Sequence, residues 1–142
     1  MNDMPTLPFI DAERVRRSLP YPALIDALRE AFRDPAIAPQ RHAHALPGQS
    51  SLLLMPAWQP GTEIGVKLVT VMPGNRERGL PTVHALYILL DAQTGVPVAL
   101  MDGEQLTLRR TAAVSALASQ SLSRSDSRTL LLVGSGRLAP EM

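Results

Sequence analysis

Four segments of strand-type sequence follow one another in the middle of the chain, and short turns separate them. These segments are residues 50–57, 63–72, 82–91 and 96–101. They are rich in β-branched and long apolar residues, which favour strands. The link DAQTG, residues 91–95, ends in glycine, as is typical of a hairpin that contains a bulge. The sequence therefore predicts a largely antiparallel sheet across this region.

Helical patterns flank the predicted sheet on both sides. Residues 11–17 predict a short helix, and residues 21–33 predict a longer one because apolar residues recur there at helical spacing. Residues 102–122 predict the longest helix, in which Asp102 and Gln105 resemble a capping box and several alanines favour the helical state. We therefore expect an α+β domain with helices packed on a mostly antiparallel sheet.

The composition excludes several classes of function. The formal net charge is +1, with 14 basic and 13 acidic residues, so we expect no nucleic-acid partner and no anionic membrane surface. The chain has no cysteine and no long apolar run, and residues 1–10 lack the pattern of a signal peptide, so we expect a cytoplasmic protein. His42 and His44 alternate on a strand, but no acidic cluster accompanies them, and we expect no metal site.

A glycine-rich turn follows the apolar residues 129–133, which predict a further strand. Gly134, Gly136 and Ala139 form a G-x-G-x-x-A pattern at the point where a helix would begin. In a dinucleotide-binding unit these positions permit a tight turn, close approach of the backbone to a pyrophosphate, and close packing of helix on strand. The alternative is an ordinary strand and turn without a ligand.

One arginine of the long helix falls on its apolar stripe. Helical spacing places Arg110 in line with Leu106, Ala113 and Leu117. We therefore expect Arg110 to be buried and Arg109 to lie on a more solvated face. A buried guanidinium requires an anionic partner, because an unpaired buried charge is strongly unfavourable.

A second cation falls on an apolar strand face. Lys67 shares its face of the strand with Gly65 and Val69, and Arg41 stands just before the sheet. Together with Arg110, these side chains would form a cationic pocket for a small carboxylate. The alternative for each is a side chain that extends to solvent, or a structural ion pair.

Five segments occur in the order found in a known protein family. They read MPAW, GVKLVTVMPGN, GLPTVHALYILLDAQTGVPVALMDG, LTLRRTAAVSALAS and LLLVGSGRLA. They extend over residues 41–139, and the RTAAVSALA helix with the preceding MDG is the most specific part. The chain thus resembles the ornithine cyclodeaminase/mu-crystallin family.

This resemblance implies a two-domain organisation. Residues 1–127 correspond to a substrate-binding and dimerisation domain, and residues 128–142 to the start of a truncated Rossmann domain that binds NAD or NADP. The resemblance also implies a homodimer, formed through the sheet of residues 50–101. One strand cannot form a parallel sheet by itself, so we expect the 142-residue chain alone to bind no nicotinamide cofactor and to be inactive.

The resemblance also assigns roles to individual residues. Those implied to contact a substrate carboxylate are Arg41, Lys67 and Arg110. Lys67 is in addition a candidate catalytic residue, and the general acid or base is expected beyond residue 142. Those implied to bind the cofactor are Thr82, Arg110, Thr111, Gly134, Gly136, Arg137, Leu138 and Ala139. Leu138 stands where the family usually has glutamine, which removes a side-chain contact but leaves the backbone donors.

One departure from the family bears on the reaction. Cyclodeaminases tend to carry an acidic residue shortly before Met55 and Pro56, whereas this chain has three leucines there. The departure disfavours a specific ornithine activity. The resemblance implies a lyase or oxidoreductase that catalyses NAD(P)-dependent oxidation or reduction at the α-carbon of an amino or imino acid, of the cyclodeaminase, amino-acid dehydrogenase or ketimine reductase type. The alternative is a binding protein of the mu-crystallin type, which takes a small carboxylate without turnover.

Overall fold

The computed structural model describes residues 6–34 and 36–142. Helices and strands follow the chain in this order: β1 (Phe9–Ile10), α1 (Ala12–Ser18), α2 (Tyr21–Ala31), β2 (His42–Leu46), β3 (Ser50–Gln59), β4 (Glu63–Val71), a 3-10 helix (Pro73–Arg78), β5 (Val83–Asp91), β6 (Pro97–Asp102), α3 (Gly103–Leu122) and a second 3-10 helix (Ala139–Glu141). The predicted helices and the four predicted strands of the central region are confirmed, with their ends shifted by a few residues. Strand β1 was not predicted, because two residues carry no periodic pattern.

The strands form one six-stranded sheet in the order β1-β6-β5-β4-β3-β2. Every neighbouring pair is antiparallel except β1 and β6, which pair in parallel. The pairing of β5 with β6 shifts register between Leu89 and Leu90, next to the predicted bulged turn. The expectation of a mostly antiparallel sheet in an α+β fold is therefore confirmed.

The helices pack on one face of this sheet. Helix α3 lies against β4, β5 and β6, while α1 contacts β6 and α3, and α2 packs on α3. The Asp102 side chain accepts a hydrogen bond of 2.7 Å from the backbone N–H of Gln105, as the capping box predicts. None of the helices in residues 6–34 and 36–142 is long and apolar enough to cross a membrane.

Small residues allow α3 to lie close to the strands. Ala112 and Ala113 are buried in the helix, and Val69 and Ala99 are buried in the sheet beneath it. At the start of α3, a Cβ on Gly103 would lie 2.8 Å from the carbonyl carbon of Ala85. A glycine is therefore needed where the helix begins against the backbone of β5.

The side chains of the sheet point alternately to an inner face and an outer face. The inner face, against α3, carries Lys67 and the buried Val69. The outer face carries the alternate residues, since successive side chains of a strand point to opposite sides. Its central rows are apolar and comprise Leu54, Leu68 and Leu86, and then Val66, Ile88 and Leu100. Polar residues occur toward its margin, where Leu86 pairs with Asp102 and Thr70 pairs with His84. The helices that contact the sheet leave this outer face uncovered.

The strand predicted at residues 129–133 is not formed. These residues belong to no sheet, and Leu131 and Val133 are almost fully exposed. The physical reason is that a parallel strand needs neighbours for its backbone hydrogen bonds. Beyond it, Gly134 has φ of +115°, a conformation that favours glycine. The division at residues 127 and 128 stays a prediction.

Candidate functional site

A cavity of about 730 Å³ lies between the inner face of the sheet and helix α3. The segment before β2 closes one side of it, and the remaining walls come from four strands and the helix. Its lining consists of Ala38, Pro39, Gln40, Arg41, Met55, Pro56, Ala57, Lys67, Tyr87, Met101, Leu106, Thr107 and Arg110. The three residues predicted to bind a carboxylate, Arg41, Lys67 and Arg110, therefore meet in one cavity.

The strand register explains how the floor of the cavity is assembled. Met55 pairs with Lys67, Lys67 with Tyr87, and Tyr87 with Met101. Residues directly opposite one another point to the same face of a sheet. One row across four strands thus places a single cation between apolar and aromatic side chains.

Lys67 is held in place by helix α3. Its Nζ lies 3.4 Å from Oγ1 of Thr107, and that hydroxyl donates a 2.7 Å hydrogen bond to the carbonyl of Gly103. The hydroxyl proton is therefore engaged, and the oxygen is left to accept from the ammonium. Burial lowers the pKa of Lys67, and the nearby charges of Arg110 and Arg41 lower it further.

The cavity is cationic without internal compensation. The lining contains no aspartate or glutamate. Arg41, Lys67 and Arg110 take part in none of the ion pairs formed among residues 6–34 and 36–142. The repulsion that lowers the pKa of Lys67 would be relieved by an anion, and a carboxylate offers the bidentate geometry that arginine binds best.

The expected burial of the two consecutive arginines is wrong. Arg110 is exposed and reaches the cavity mouth, whereas Arg109 is buried, with only 9% of its surface accessible. The burial of Arg110 was predicted from its alignment with Leu106. That prediction failed because alanines occur on several sides of α3, so apolar spacing does not identify a single buried face. The second buried side faces α1 and α2, against which α3 also packs.

The residues implied to bind the cofactor do not line this cavity, Arg110 excepted. Thr111 donates its hydroxyl proton to the carbonyl of Thr107, one turn earlier in α3, at 2.7 Å. Thr82 stands just before β5, where its carbonyl accepts from the backbone N–H of Met72 at 2.7 Å. The glycine segment, residues 134–142, borders a separate cavity of about 250 Å³. This cavity is lined by Leu132, Val133, Gly134, Gly136, Leu138, Ala139 and Met142. Arg137 forms an ion pair with Glu104 near the start of α3.

Tyr87 is a cavity residue that the sequence reasoning missed. Its ring covers Gly65, since a Cβ at that glycine would lie within 1.8 Å of the tyrosine hydroxyl. Burial raises the pKa of Tyr87, and the charge of Glu63 adds to the effect, so the hydroxyl keeps its proton. The alternation of β5 contained the necessary signal, but only the register with β4 identifies Tyr87 as the partner of Lys67.

Comparisons with known proteins identify the family of the chain. A sequence profile of the ornithine cyclodeaminase/mu-crystallin family matches residues 9–141. A Delta(1)-pyrroline-2-carboxylate reductase from Colwellia psychrerythraea is 43% identical over 92% of this chain and 43% of its own length.

Two solved structures resemble the fold closely. An archaeal alanine dehydrogenase dimer with bound NAD has a TM-score of 0.76 and 34% identity, over 85% of this chain and 38% of its own. The Delta(1)-pyrroline-2-carboxylate reductase of Thermococcus litoralis, in complex with NADH and L-proline, has a TM-score of 0.76 and 29% identity, over 86% and 40% respectively. The chain spans less than half the length of each of these relatives. The profile match extends from β1 to the segment after the glycine turn, and the chain therefore belongs to the ornithine cyclodeaminase/mu-crystallin family.

Proposed function

We propose that the protein carrying this chain is an NAD(P)-dependent reductase of a small imino acid. The observation that carries the proposal is the cavity, in which three cations have no acidic partner among residues 6–34 and 36–142 and face apolar walls. An α-carboxylate satisfies the cations, and an uncharged ring suits Met55, Met101 and Leu106. The relatives named as pyrroline-2-carboxylate reductases support this class of substrate.

The three cations have complementary tasks in this proposal. Arg110 offers a planar pair of donors to the carboxylate, and Lys67 and Arg41 add positive charge. Holding the carboxylate fixes the adjacent α-carbon, and positioning of this kind is worth several kcal/mol of the barrier, on the order of 7–11 in the best-oriented cases.

Lys67 is the candidate proton donor. In the reduction, the α-carbon gains a hydride, and the imine nitrogen gains a proton to become the amine. The lowered pKa of Lys67 makes its ammonium a better acid than an ordinary lysine. Loss of that proton also removes the repulsion between Lys67 and the two arginines, which favours the transfer.

The glycine segment fits the phosphates of a nicotinamide cofactor, which supplies or accepts the hydride when bound. Gly134 has positive φ, and a Cβ at Gly134 or Gly136 would meet nothing within 4 Å, so the backbone there is open to a pyrophosphate. Arg137, Leu138 and Ala139 continue this segment, and Thr82 and Thr111 are further proposed contacts. The choice between NAD and NADP is left open by residues 1–142.

The alternative activities differ in what they require of the cavity. A cyclodeaminase must hold the ammonium of a diamino acid side chain, and the lining offers no carboxylate for it. A binding protein of the mu-crystallin type uses the same cations to hold a carboxylate without turnover. Measurement of turnover separates this second candidate from the reductase.

The outer face of the sheet supports a homodimer as part of the proposal. It is apolar, and the helices that contact the sheet lie on the opposite face. Such a face is unfavourable in water and is suited to a second copy. A cytoplasmic location, inferred from the sequence, also stays part of this proposal.

The decisive experiment is kinetic. The complete gene product is assayed with NADH and NADPH against cyclic imino acids, for wild type and Arg110→Met. We expect turnover by the wild type, and a loss of about 2–5 kcal/mol of transition-state stabilisation in the variant, which is roughly 30-fold or more in kcat/KM. The urea midpoint of the variant is expected to stay close to that of the wild type, because Arg110 is exposed and forms no ion pair within the part of the chain that the structure describes.

Arg29→Met is the control, since this arginine pairs with the exposed Asp26 on α2, away from the cavity. It is expected to keep wild-type kcat/KM. Tight binding of cyclic imino acids without any turnover would contradict the reductase activity and support a binding protein of the mu-crystallin type. Unchanged kcat/KM in Arg110→Met would remove this residue from the site.

A further inference from the structure

The most extensive side-chain network of the described residues is centred on Arg109, outside the cationic cavity. Its Nε and Nη2 donate to the carbonyl of Leu19 at 3.1 and 2.5 Å. Its Cζ lies 3.6 Å from the centroid of the Tyr21 ring, and its Nη1 lies 3.4 Å from Oε2 of Glu141. One guanidinium thus joins the end of α1, the start of α2 and the segment after the glycine turn.

Glu141 is the partner that comes from the glycine segment. Its carboxylate accepts hydrogen bonds from the hydroxyl of Tyr21 and from Nη1 of Arg109. The bond from Tyr21 lowers the pKa of Glu141, and Arg109 lowers it further, so the carboxylate is charged at neutral pH. A second ion pair, between Arg137 and Glu104, connects the same segment to the first turn of α3.

Helix α3 brings this network and the cavity into one rigid unit. Consecutive helical residues point about 100° apart, so Arg109 and Arg110 serve different sides of the same turn. Arg110 and Thr107 face the cavity, and Arg109 and Glu104 hold the glycine segment. The helix thereby sets the distance between the glycine turn and the carboxylate-binding cations.

We infer that Arg109 is a positioning residue, which through Glu141 fixes the cofactor-binding turn relative to the substrate cavity. The inference rests on the proposed function for its catalytic meaning. Neither Arg109 nor Glu141 lines the cavity, so their effect on the reaction is indirect. Loss of the contact would let the turn move relative to α3, and a shift of about 1 Å in reacting groups lowers rates by as much as 10²-fold.

Glu141→Ala tests the inference with the least disturbance, because Arg109 keeps its bonds to Leu19 and its contact with Tyr21. With the complete protein, cyclic imino acid and NADH or NADPH, we expect kcat to fall about tenfold or more. The KM for the imino acid is expected to stay within about twofold of wild type, since Arg41, Lys67 and Arg110 are untouched. Glu141→Gln, which keeps an acceptor oxygen for Tyr21, should recover part of the loss.

Asp126→Ala is the matched control, since it breaks an exposed ion pair with Arg124 in the same part of the chain. It is expected to leave kcat unchanged. A Glu141→Ala protein with a lower unfolding temperature but wild-type kcat would overturn the inference and leave Glu141 with a structural role only.

Hydrogen exchange separates this inference from the proposed function. Absence of turnover in the wild type contradicts the reductase, and the coupling is then measured on the amides of residues 136–142 in this chain. We expect them to exchange about tenfold faster in Glu141→Ala than in wild type or Asp126→Ala. Equal exchange in the three proteins would contradict the anchoring itself.

Discussion

The pKa of Lys67 reflects the burial and the neighbouring charges of this side chain. Lys67 is the only lysine of the chain, and it stands between two arginines and beneath helix α3. Its ordinary pKa near 10.5 is lowered first by burial and then by Arg110 and Arg41. The charged form is therefore disfavoured in the folded protein, and the folded state binds fewer protons than the unfolded state at pH values between the lowered pKa and the ordinary one.

A titration of Lys67 provides a direct test. The 142-residue chain labelled with ¹³C-lysine gives one lysine Cε resonance, whose titration is expected to show a pKa below 10.5. Arg110→Met is expected to raise this pKa, because it removes a repelling charge, whereas the distant Arg29→Met is the control and should leave it unchanged. A value at or above the ordinary one would contradict a desolvated, cation-rich cavity.

The sign of the stability change follows from this shift. The unfavourable contribution of charged Lys67 is fully present below its folded pKa and disappears as pH rises toward the unfolded value. The charged lysine thus opposes folding at neutral pH. Groups with perturbed pKa values of this kind cluster at functional sites.

The residues of the site were only partly predictable. Strand alternation predicted that Lys67 shares a mostly apolar face with Gly65 and Val69, and in the structure this face borders the cavity. Arg110 was placed in a cationic pocket by its helical spacing and charge, but its predicted burial was wrong because the alanines of α3 do not distinguish one face. Arg109 was missed since Leu19 and Glu141, its partners, lie far away in the sequence.

At the scale of elements, the junction of β6 and α3 depends on one glycine. Gly103 lies against the backbone of Ala85 and Leu86, at 2.8–2.9 Å from where a Cβ would stand. Backbone atoms in a paired strand cannot move aside easily, so a larger residue would push α3 off the sheet. The MDG segment that indicated the family thus has a packing explanation.

We expect Gly103→Ala to lower the free energy of unfolding by about 1–3 kcal/mol, as measured by urea denaturation. Gly74→Ala is the control, because a Cβ at Gly74 meets nothing within 4 Å, and its effect should stay within about 0.5 kcal/mol. Equal stability of the two variants would show that α3 adjusts without strain.

The sequence predicted elements correctly where local residue pattern determines the structure. It failed where formation of the element depends on a neighbouring strand. Strands β3 to β6 follow from residue type and turns, and the N-terminus of α3 follows from Asp102. Residues 129–133 have a strand pattern but no neighbouring strand, and they stay unpaired.

At the scale of the whole molecule, the sheet has one covered and one uncovered face. The outer face places Leu54, Leu68 and Leu86 in one row, next to Val66 and its partners in the following row. A contiguous apolar surface of this kind is unfavourable in water and is typical of an interface. A second copy of the sheet would remove both surfaces from water.

We therefore expect a dimer in light scattering, and we expect Leu68→Glu to convert it to monomer or to aggregate. A buried glutamate in the middle of the apolar row lacks a partner, and its desolvation opposes association. Val96→Glu, in the exposed turn before β6, should leave the dimer intact. A wild-type protein that stays monomeric at all concentrations would contradict this assembly.

The parallel pairing of β1 with β6 has a consequence for the order of folding. Phe9 pairs with Leu100, so the contact closes a loop of roughly ninety residues, whereas β2 to β6 form a meander of adjacent hairpins. The entropy of loop closure increases with loop length, so local hairpins form more readily than distant pairs. During synthesis β1 is made before β6, so it has no partner in the sheet until β6 has been made. We therefore expect β1 to join the sheet after the hairpins of β2 to β6 have formed.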